Sequence, residues 1–295
     1  RHGETPRAGT AGPGGRRRPL DRGGWWAWAF VLPLLVGVGV FYLWPILQTF
    51  FYSFTTWGVF GGWTFSGLEN YRPLLADPAF YQSLLNTAIY TAIVLLGIPL
   101  AVWLASLLNT PGLRFASFYR VLFFLPYVAM PAAIALVWRM IFNGVHGPYW
   151  LSTPGFALIA VSMVGLWSSL GFSMIILGAG LKSIPPELYE AAELDGASPA
   201  RAFRSITVPL LTPSIFFVVI VTTISSFQLF DLLYALLGSS NPVMPQTMSL
   251  VFYFYSTGFI ANDKGLAAAI AIAIFALIGL VTLLQFRMQR RWVHA

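Results

Sequence analysis

Six long apolar runs constrain this chain more than any other feature. They lie at about 25–52, 84–108, 117–142, 155–181, 210–236 and 265–287. A hydrocarbon core about 30 Å thick is crossed by roughly 20 residues of helix, so each run is long enough to span a bilayer. Barrel strands would instead alternate in pieces of about ten residues. Only 9% of the 295 residues are charged and 57% are hydrophobic, whereas an ordinary soluble domain carries roughly a quarter charged residues. The expected fold class is an all-α integral membrane protein with six transmembrane helices. A soluble enzyme is excluded, and so is an intrinsically disordered chain, which would lack this apolar content. Pro33, Pro45, Pro99, Pro126 and Pro131 fall inside the runs. Within a bundle, neighbouring helices can satisfy the backbone groups that proline frees.

The charges orient the bundle. Residues 1–24 contain 7 Gly, 3 Pro and 6 Arg, a composition that buries nothing and predicts a flexible basic segment. A signal peptide fits less well, because the following run is longer than an h-region and no small-residue cleavage pattern ends it. The chain begins with Arg rather than Met, so its native start is expected to differ. With both termini placed in the cytoplasm, 14 of the 17 basic residues fall inside, leaving Arg72, Arg139 and Lys264 outside. Basic residues stay on the cytoplasmic side during insertion. The organisation expected is a cytoplasmic segment at 1–24, a six-span domain at 25–287 and a cytoplasmic tail at 288–295. The net charge of +7 then belongs to inner loops rather than to a nucleic-acid surface, and no nucleic-acid partner is expected.

The residue inventory narrows the chemistry. Cysteine is absent, and the three histidines (His2, His146 and His294) lie far apart, so no thiolate or helical zinc site is expected. The stretch from Gly178 to Ser183 faintly resembles a phosphate loop, but Leu181 stands before Lys182 where that motif needs glycine. No catalytic residue, metal site or nucleotide site is expected in this chain. The outer loop at about 54–83 carries Trp63, Tyr71 and Tyr81 and is expected to hold a short interfacial helix. The outer loop at about 237–264 begins with the turn-forming cluster Gly238 to Pro242. No internal repeat is evident.

The inner loop at 182–209 holds four of the ten acidic residues: Glu187, Glu190, Glu193 and Asp195. Pro185 and Pro186 suit a helix start and Gly196 its stop. Ser198 and Pro199 then suit the N-cap and first turn of a second helix. The prediction is helix, glycine elbow, helix, outside the membrane. Leu188, Ala191 and Ala192 share one face by i, i+3, i+4 spacing, and Phe203 is a candidate anchor on the second helix. Helices that rest on a bilayer surface are usually basic, whereas the first helix here is acidic, which favours docking against a protein.

Glu190-Ala191-Ala192, then Gly196, Ile206 and Val208-Pro209, resembles the EAA loop of permease subunits of binding-protein-dependent ABC importers. The one departure is Val208, where the family usually has leucine. The segment from Ser225 to Asp231, with Gly238, Pro242, Thr247, Tyr253, Phe259 and Gly265 to Ala269, is similar to the last spans of the carbohydrate-uptake branch. Tyr52-Ser53-Phe54 and Gly67 to Tyr71 resemble its first outer loop. The resemblance implies that the elbow docks in a groove of a cytoplasmic ATPase subunit. Glu190, Ala191, Ala192, Asp195, Gly196, Phe203 and Pro209 are the implied coupling residues. It also implies a second, homologous permease subunit, two ATPase subunits that bind the ATP and Mg, an extracytoplasmic solute-binding protein, and a place in a bacterial or archaeal inner membrane.

A sugar presents hydroxyls and an apolar face, so its pathway needs neutral polar groups and aromatic rings. Trp167, Ser168 and Phe172 in span four, with Thr222, Ser225, Ser226 and Gln228 in span five, are the candidates. Thr222, Ser225 and Ser226 are expected on one face. Hydroxyls that bond their own helix are the alternative. Ala267 and Ala271 in span six give a small-xxx-small packing face. Asp231 and Arg139 near the outer interface suit structural pairing rather than a proton relay. An ion-coupled carrier would need intramembrane acids and repeated halves, and an intramembrane enzyme a cluster of reactive groups. Within the family, glycerol 3-phosphate or an amino acid is the alternative cargo. An anionic cargo would favour cations along the pathway.

Overall fold

The computed structural model of the chain describes residues 24–58, 61–110, 112–144 and 149–292. The basic segment expected before Gly24, His146 and the last three residues of the tail lie outside these. Up to Gln48 the chain is one helical unit, made of α1 (Gly24–Val38), a π-helical turn (Gly39–Leu43) and the start of α2 (Trp44–Tyr52). Pro33 sits inside α1 without ending it. The stretch Trp28–Tyr52 has the length and hydropathy of a span.

From Thr49 onward the chain forms a second unit. Two short strands, β1 (Thr55–Trp57) and β2 (Trp63–Phe65), pair antiparallel with Thr55 opposite Phe65, and α3 (Tyr71–Ala76) follows. The buried Asn70 closes this hairpin onto α3 by donating to the carbonyls of Ser53 at 2.9 Å and Thr55 at 2.8 Å. The helix expected in the first outer loop is thus α3, preceded by strands too short to show an alternation.

The second span comprises α4 (Pro78–Leu95) and α5 (Gly97–Leu108). It starts at Pro78 rather than near 84, because Asp77 caps it: the carboxylate accepts from Ala79 N at 2.8 Å while Pro78 fills the first turn. The expectation of one continuous helix over 117–142 is corrected. The region is two helices, α6 (Ala116–Val128) and α7 (Pro131–Gly144), bent by 99° at the break. Pro131 has no N–H to continue the ladder and disfavours helical backbone just before it, and Ala129 is already extended at ψ 143°. Pro126, inside α6, leaves that helix intact.

The longest uninterrupted helices of this unit are α8 (Phe156–Lys182) and a C-terminal helix described below. After α8 come α9 (Glu187–Leu194) and α10 (Pro199–Ala202), which runs through a π-helical turn (Phe203–Thr207) into α11 (Val208–Phe227). The fifth span therefore begins at Pro199 and ends at Phe227, not at 210 and 236. A separate second helix in the loop does not exist; it is the first turn of the span. Beyond Phe227 the ladder stops and α12 (Asp231–Leu237) begins, packed on α7.

The loop at 237–264, expected on the outer side, holds more helix than its turn signals suggest: α13 (Met244–Thr247), α14 (Leu250–Tyr255) and a π-helical turn (Ser256–Ile260). The last helix, α15 (Lys264–Trp292), continues past the expected end at 287 into the tail. Among the described residues five helical stretches are long and apolar enough to cross a membrane, and the bent pair α6–α7 makes a sixth if it is counted as one span.

Buried polar contacts tie α14 to α4. The Asn86 amide donates to the carbonyls of Gln246 and Met248, both at 3.0 Å, and Leu250 N donates to the Thr87 hydroxyl at 3.0 Å. Tyr253 donates to Asp77 at 2.6 Å. Burial, and then the hydrogen bond and charge of Asp77, push this phenol above its ordinary range, so it remains a donor at neutral pH. Replacing Asn86 with leucine is expected to lower stability by about 1–3 kcal/mol, since a buried and a partly buried carbonyl lose their donor. Denaturation of the purified variant in detergent measures this.

Two apolar clusters stack along α8. Val161 and Val164 belong to the first, with Leu233, Leu236, Leu250 and Ile270. Leu170, Met174 and Leu177 belong to the second, with Ala101, Leu211 and Val218. Gly171 lets α6 lie directly on α8: a Cβ there would strike the Phe123 carbonyl oxygen and stand 2.7 Å from Phe124 Cα. Ala267 packs as the small-residue face predicts, within 2.8 Å of where a Cβ on Gly258 would stand.

Candidate functional site

The inner elbow is built from local rules. Glu187 and Glu190 occupy the first turn of α9, where the positive end of the helix dipole favours carboxylates. The helix closes with paired bonds: Ala197 N donates to Ala192 O at 2.9 Å, and Gly196 N to Glu193 O at 3.0 Å. This is a Schellman stop, which needs a left-handed residue, and Gly196 supplies it with φ +71°. Ser198 then caps α10, accepting from Arg201 N at 3.3 Å. The Tyr189 and Thr207 hydroxyls meet at 3.0 Å, bracing α9 against the root of the fifth span.

Glu190, Ala191, Asp195 and Gly196 all lie exposed on this elbow, with Glu187 and Glu193. Ala192 is half-buried and Pro209 is exposed at the start of α11. Phe203 departs from its expected role as an outward anchor: it is partly buried and packs on the second apolar cluster of this chain. Its place on the surface is taken by Leu194, which is 90% exposed at the tip of the elbow beside Asp195. Leu194 lies three residues after Ala191, itself three after Leu188. Extending that stripe one more step along the sequence would have found it.

The pathway candidates fall where α8 and α11 pass from one apolar cluster to the other. Trp167 meets Trp138 of α7 edge to face at 5.6 Å, and Phe172 stacks on Tyr127 of α6 at 5.1 Å. Both partners flank the break in the third span, and the sequence reading passed over them; aromatic residues beside Pro126 and Pro131 were the available signal. A cavity of about 270 Å³ in this region is lined by Leu122, Pro126, Ala133, Val137, Trp138 and Trp167, among others. The Ser168 hydroxyl is buried without a hydrogen-bond partner among the described residues. On α11 the expected common face divides: Thr222 and Ser226 are buried, whereas Ser225 and Gln228 are exposed. The reason is helical spacing, since Ser226 follows Thr222 by four residues and Gln228 follows Ser225 by three.

Comparison with known proteins decides the class. Residues 93–294 match the family described as binding-protein-dependent transport system inner membrane component. The chain belongs to this family. As a membrane permease component it is similar to the multiple sugar-binding transport system permease protein of Streptococcus mutans, 33% identical over 94% of this chain and 98% of the relative. It is 30% identical to the sn-glycerol-3-phosphate transport system permease protein of Pectobacterium atrosepticum, over 94% of this chain and 98% of that one. Among solved structures, a bacterial ABC transporter involved in import of the acidic polysaccharide alginate matches with a TM-score of 0.79. The identity is 20%, over 92% of this chain and 96% of the other. The permease fold therefore extends over nearly the whole chain, and the elbow lies inside the region matched by the family.

Proposed function

We propose that this permease component imports a sugar or oligosaccharide in an ATP-driven complex, and that the elbow couples the motor to the pathway. One observation carries the coupling: the helix that starts at Pro199 runs on through a π-helical turn to Phe227, with Tyr189 bracing α9 onto its root. A push on α9 therefore reaches the middle of the bundle through one stiff rod. Six spans with both ends in the cytoplasm complete the proposal, supported by the distribution of basic residues. The ATP and Mg belong to two ATPase subunits that receive Glu190, Ala191, Leu194 and Asp195. A second permease subunit completes the pathway, and a solute-binding protein delivers the cargo from outside. Alternating access then follows if docking contacts differ between the two states.

The aromatic rings near the break, with the exposed Ser225 and Gln228, suit a neutral sugar. Names among the relatives also favour a second reading, glycerol 3-phosphate, for which Arg139 on the exposed side of α7 is the available cation. ATPase activity of the purified complex, assayed with a panel of sugars and with glycerol 3-phosphate, separates the two. Transport by the lone chain without ATP overturns both.

Tyr189→Phe tests the brace. Loss of one hydroxyl contact is worth about 1 kcal/mol, roughly a factor of five in the population of the braced state. Uptake in reconstituted vesicles is expected to fall severalfold while ATP hydrolysis is retained, the sign of a loosened linkage.

A further inference from the structure

A second cavity, of about 270 Å³, lies between the ends of α5 and α8 and the first turns of α6. Its lining follows one stripe of α8 from Gly171 through Met174, Ile175 and Gly178 to Lys182, a groove of roughly 16 Å at 1.5 Å per residue. Ala105 and Leu108 form the facing wall. The stripe is apolar until its last turn, where Asn109, Arg120 and Lys182 gather. Among the described residues none that lines it is acidic. Gly178 keeps it open: a Cβ there would meet only Asn109 Nδ2, at 3.4 Å.

Arg120 is held in place by donating from Nη2 to the Leu108 carbonyl at 2.8 Å and to Asn109 Oδ1 at 3.2 Å. That capping leaves its other guanidinium donors available, and guanidinium is suited to phosphate oxygens. Lys182 adds a second positive charge at the same end. An apolar slot that runs along a span and ends in two cations is complementary to one chemistry, a phosphate group attached to a hydrocarbon chain.

We propose that this groove binds an anionic phospholipid, with its phosphate at Arg120 and Lys182 and an acyl chain against Met174, Ile175 and Gly178. Basic pockets between spans at a membrane face are suited to such headgroups. A zwitterionic lipid would bring its own cation to two positive side chains with no carboxylate among the described residues that line the groove, so it binds worse. The site does not depend on the import reading; only the leaflet, the cytoplasmic one, follows from the orientation proposed above.

The test uses the full chain extracted in mild detergent with its co-assembling subunits, titrated with phosphatidylglycerol or phosphatidylcholine and observed by native mass spectrometry. Phosphatidylglycerol is expected to remain bound under conditions that strip phosphatidylcholine. Lys182→Gln and Gly178→Ile are each expected to weaken its retention about tenfold. Lys182→Gln alters an exposed side chain, so it keeps the test valid should Gly178→Ile disturb folding. Equal retention of the two lipids, or retention unchanged by Lys182→Gln, overturns the proposal. Displacement by inorganic phosphate at similar concentration overturns it in favour of a free anion. An adduct present on the lone chain but lost on co-assembly overturns it in favour of a subunit contact.

Discussion

Gly196→Val is expected to reduce ATP-driven uptake at least about tenfold while leaving the amount of permease in the membrane unchanged. Gly196 holds φ +71°, a conformation that costs an L-residue roughly 1–2 kcal/mol, and a β-branched side chain fits it least well. Since about 1.4 kcal/mol is a factor of ten in population, the Schellman stop becomes a minor state and α9 loses its direction relative to α10. Among the described residues, chain neighbours aside, no heavy atom lies within 4 Å of the position a Cβ would take, so the effect is conformational and confined to the elbow. Gly196→Asn is the control: asparagine tolerates left-handed backbone and should retain most of the uptake. Co-purification of ATPase subunits with each variant separates lost docking from lost transmission. Normal uptake in the valine variant would contradict the role given to the elbow.

The largest expected effect on stability lies at Gly171. Valine there would drive its Cβ into the Phe123 carbonyl and against Phe124 Cα, and backbone atoms cannot rotate aside as a side chain could. Overpacking of this kind costs about 1–3 kcal/mol or more, equivalent to a fall of roughly 2–6 °C in the unfolding midpoint of a chain this long. Gly178→Ala, two turns further along the same face of α8, should cost far less, because among the described residues its Cβ meets only the Asn109 amide at 3.4 Å. Thermal unfolding in detergent followed by size exclusion compares the two. A Gly171 variant as stable as Gly178→Ala would show that α6 does not lie against α8 as described.

Much of the elbow was legible before any coordinates. Pro185, Pro186, Gly196 and Ser198 act through their own backbone and the three or four residues beside them, so a stop, a turn and a cap can be read from spacing. Phe203 was placed outward, and Leu194 passed over, for the opposite reason. Which of two apolar residues faces solvent depends on where the rest of the bundle lies, and Phe203 is claimed by the second apolar cluster. The break at Pro131 was half legible. The prolines were visible, but Pro33 and Pro126 remain inside intact helices, while at Pro131 the chain bends by 99°.

By itself the sequence determined that this chain carries helical stretches long and apolar enough to cross a membrane, and where its exposed elbow bends. Hydrophobic length, charge sign and glycine backbone are properties of single segments. Tertiary structure alone decided that the elbow's second helix and the fifth span are one rod, and that Tyr127 and Trp138 join Phe172 and Trp167. It also decided that Arg120 and Lys182 line one largely apolar groove. Those facts arise from side chains distant in sequence competing for the same space, and packing settles such competition only after the helices have come together.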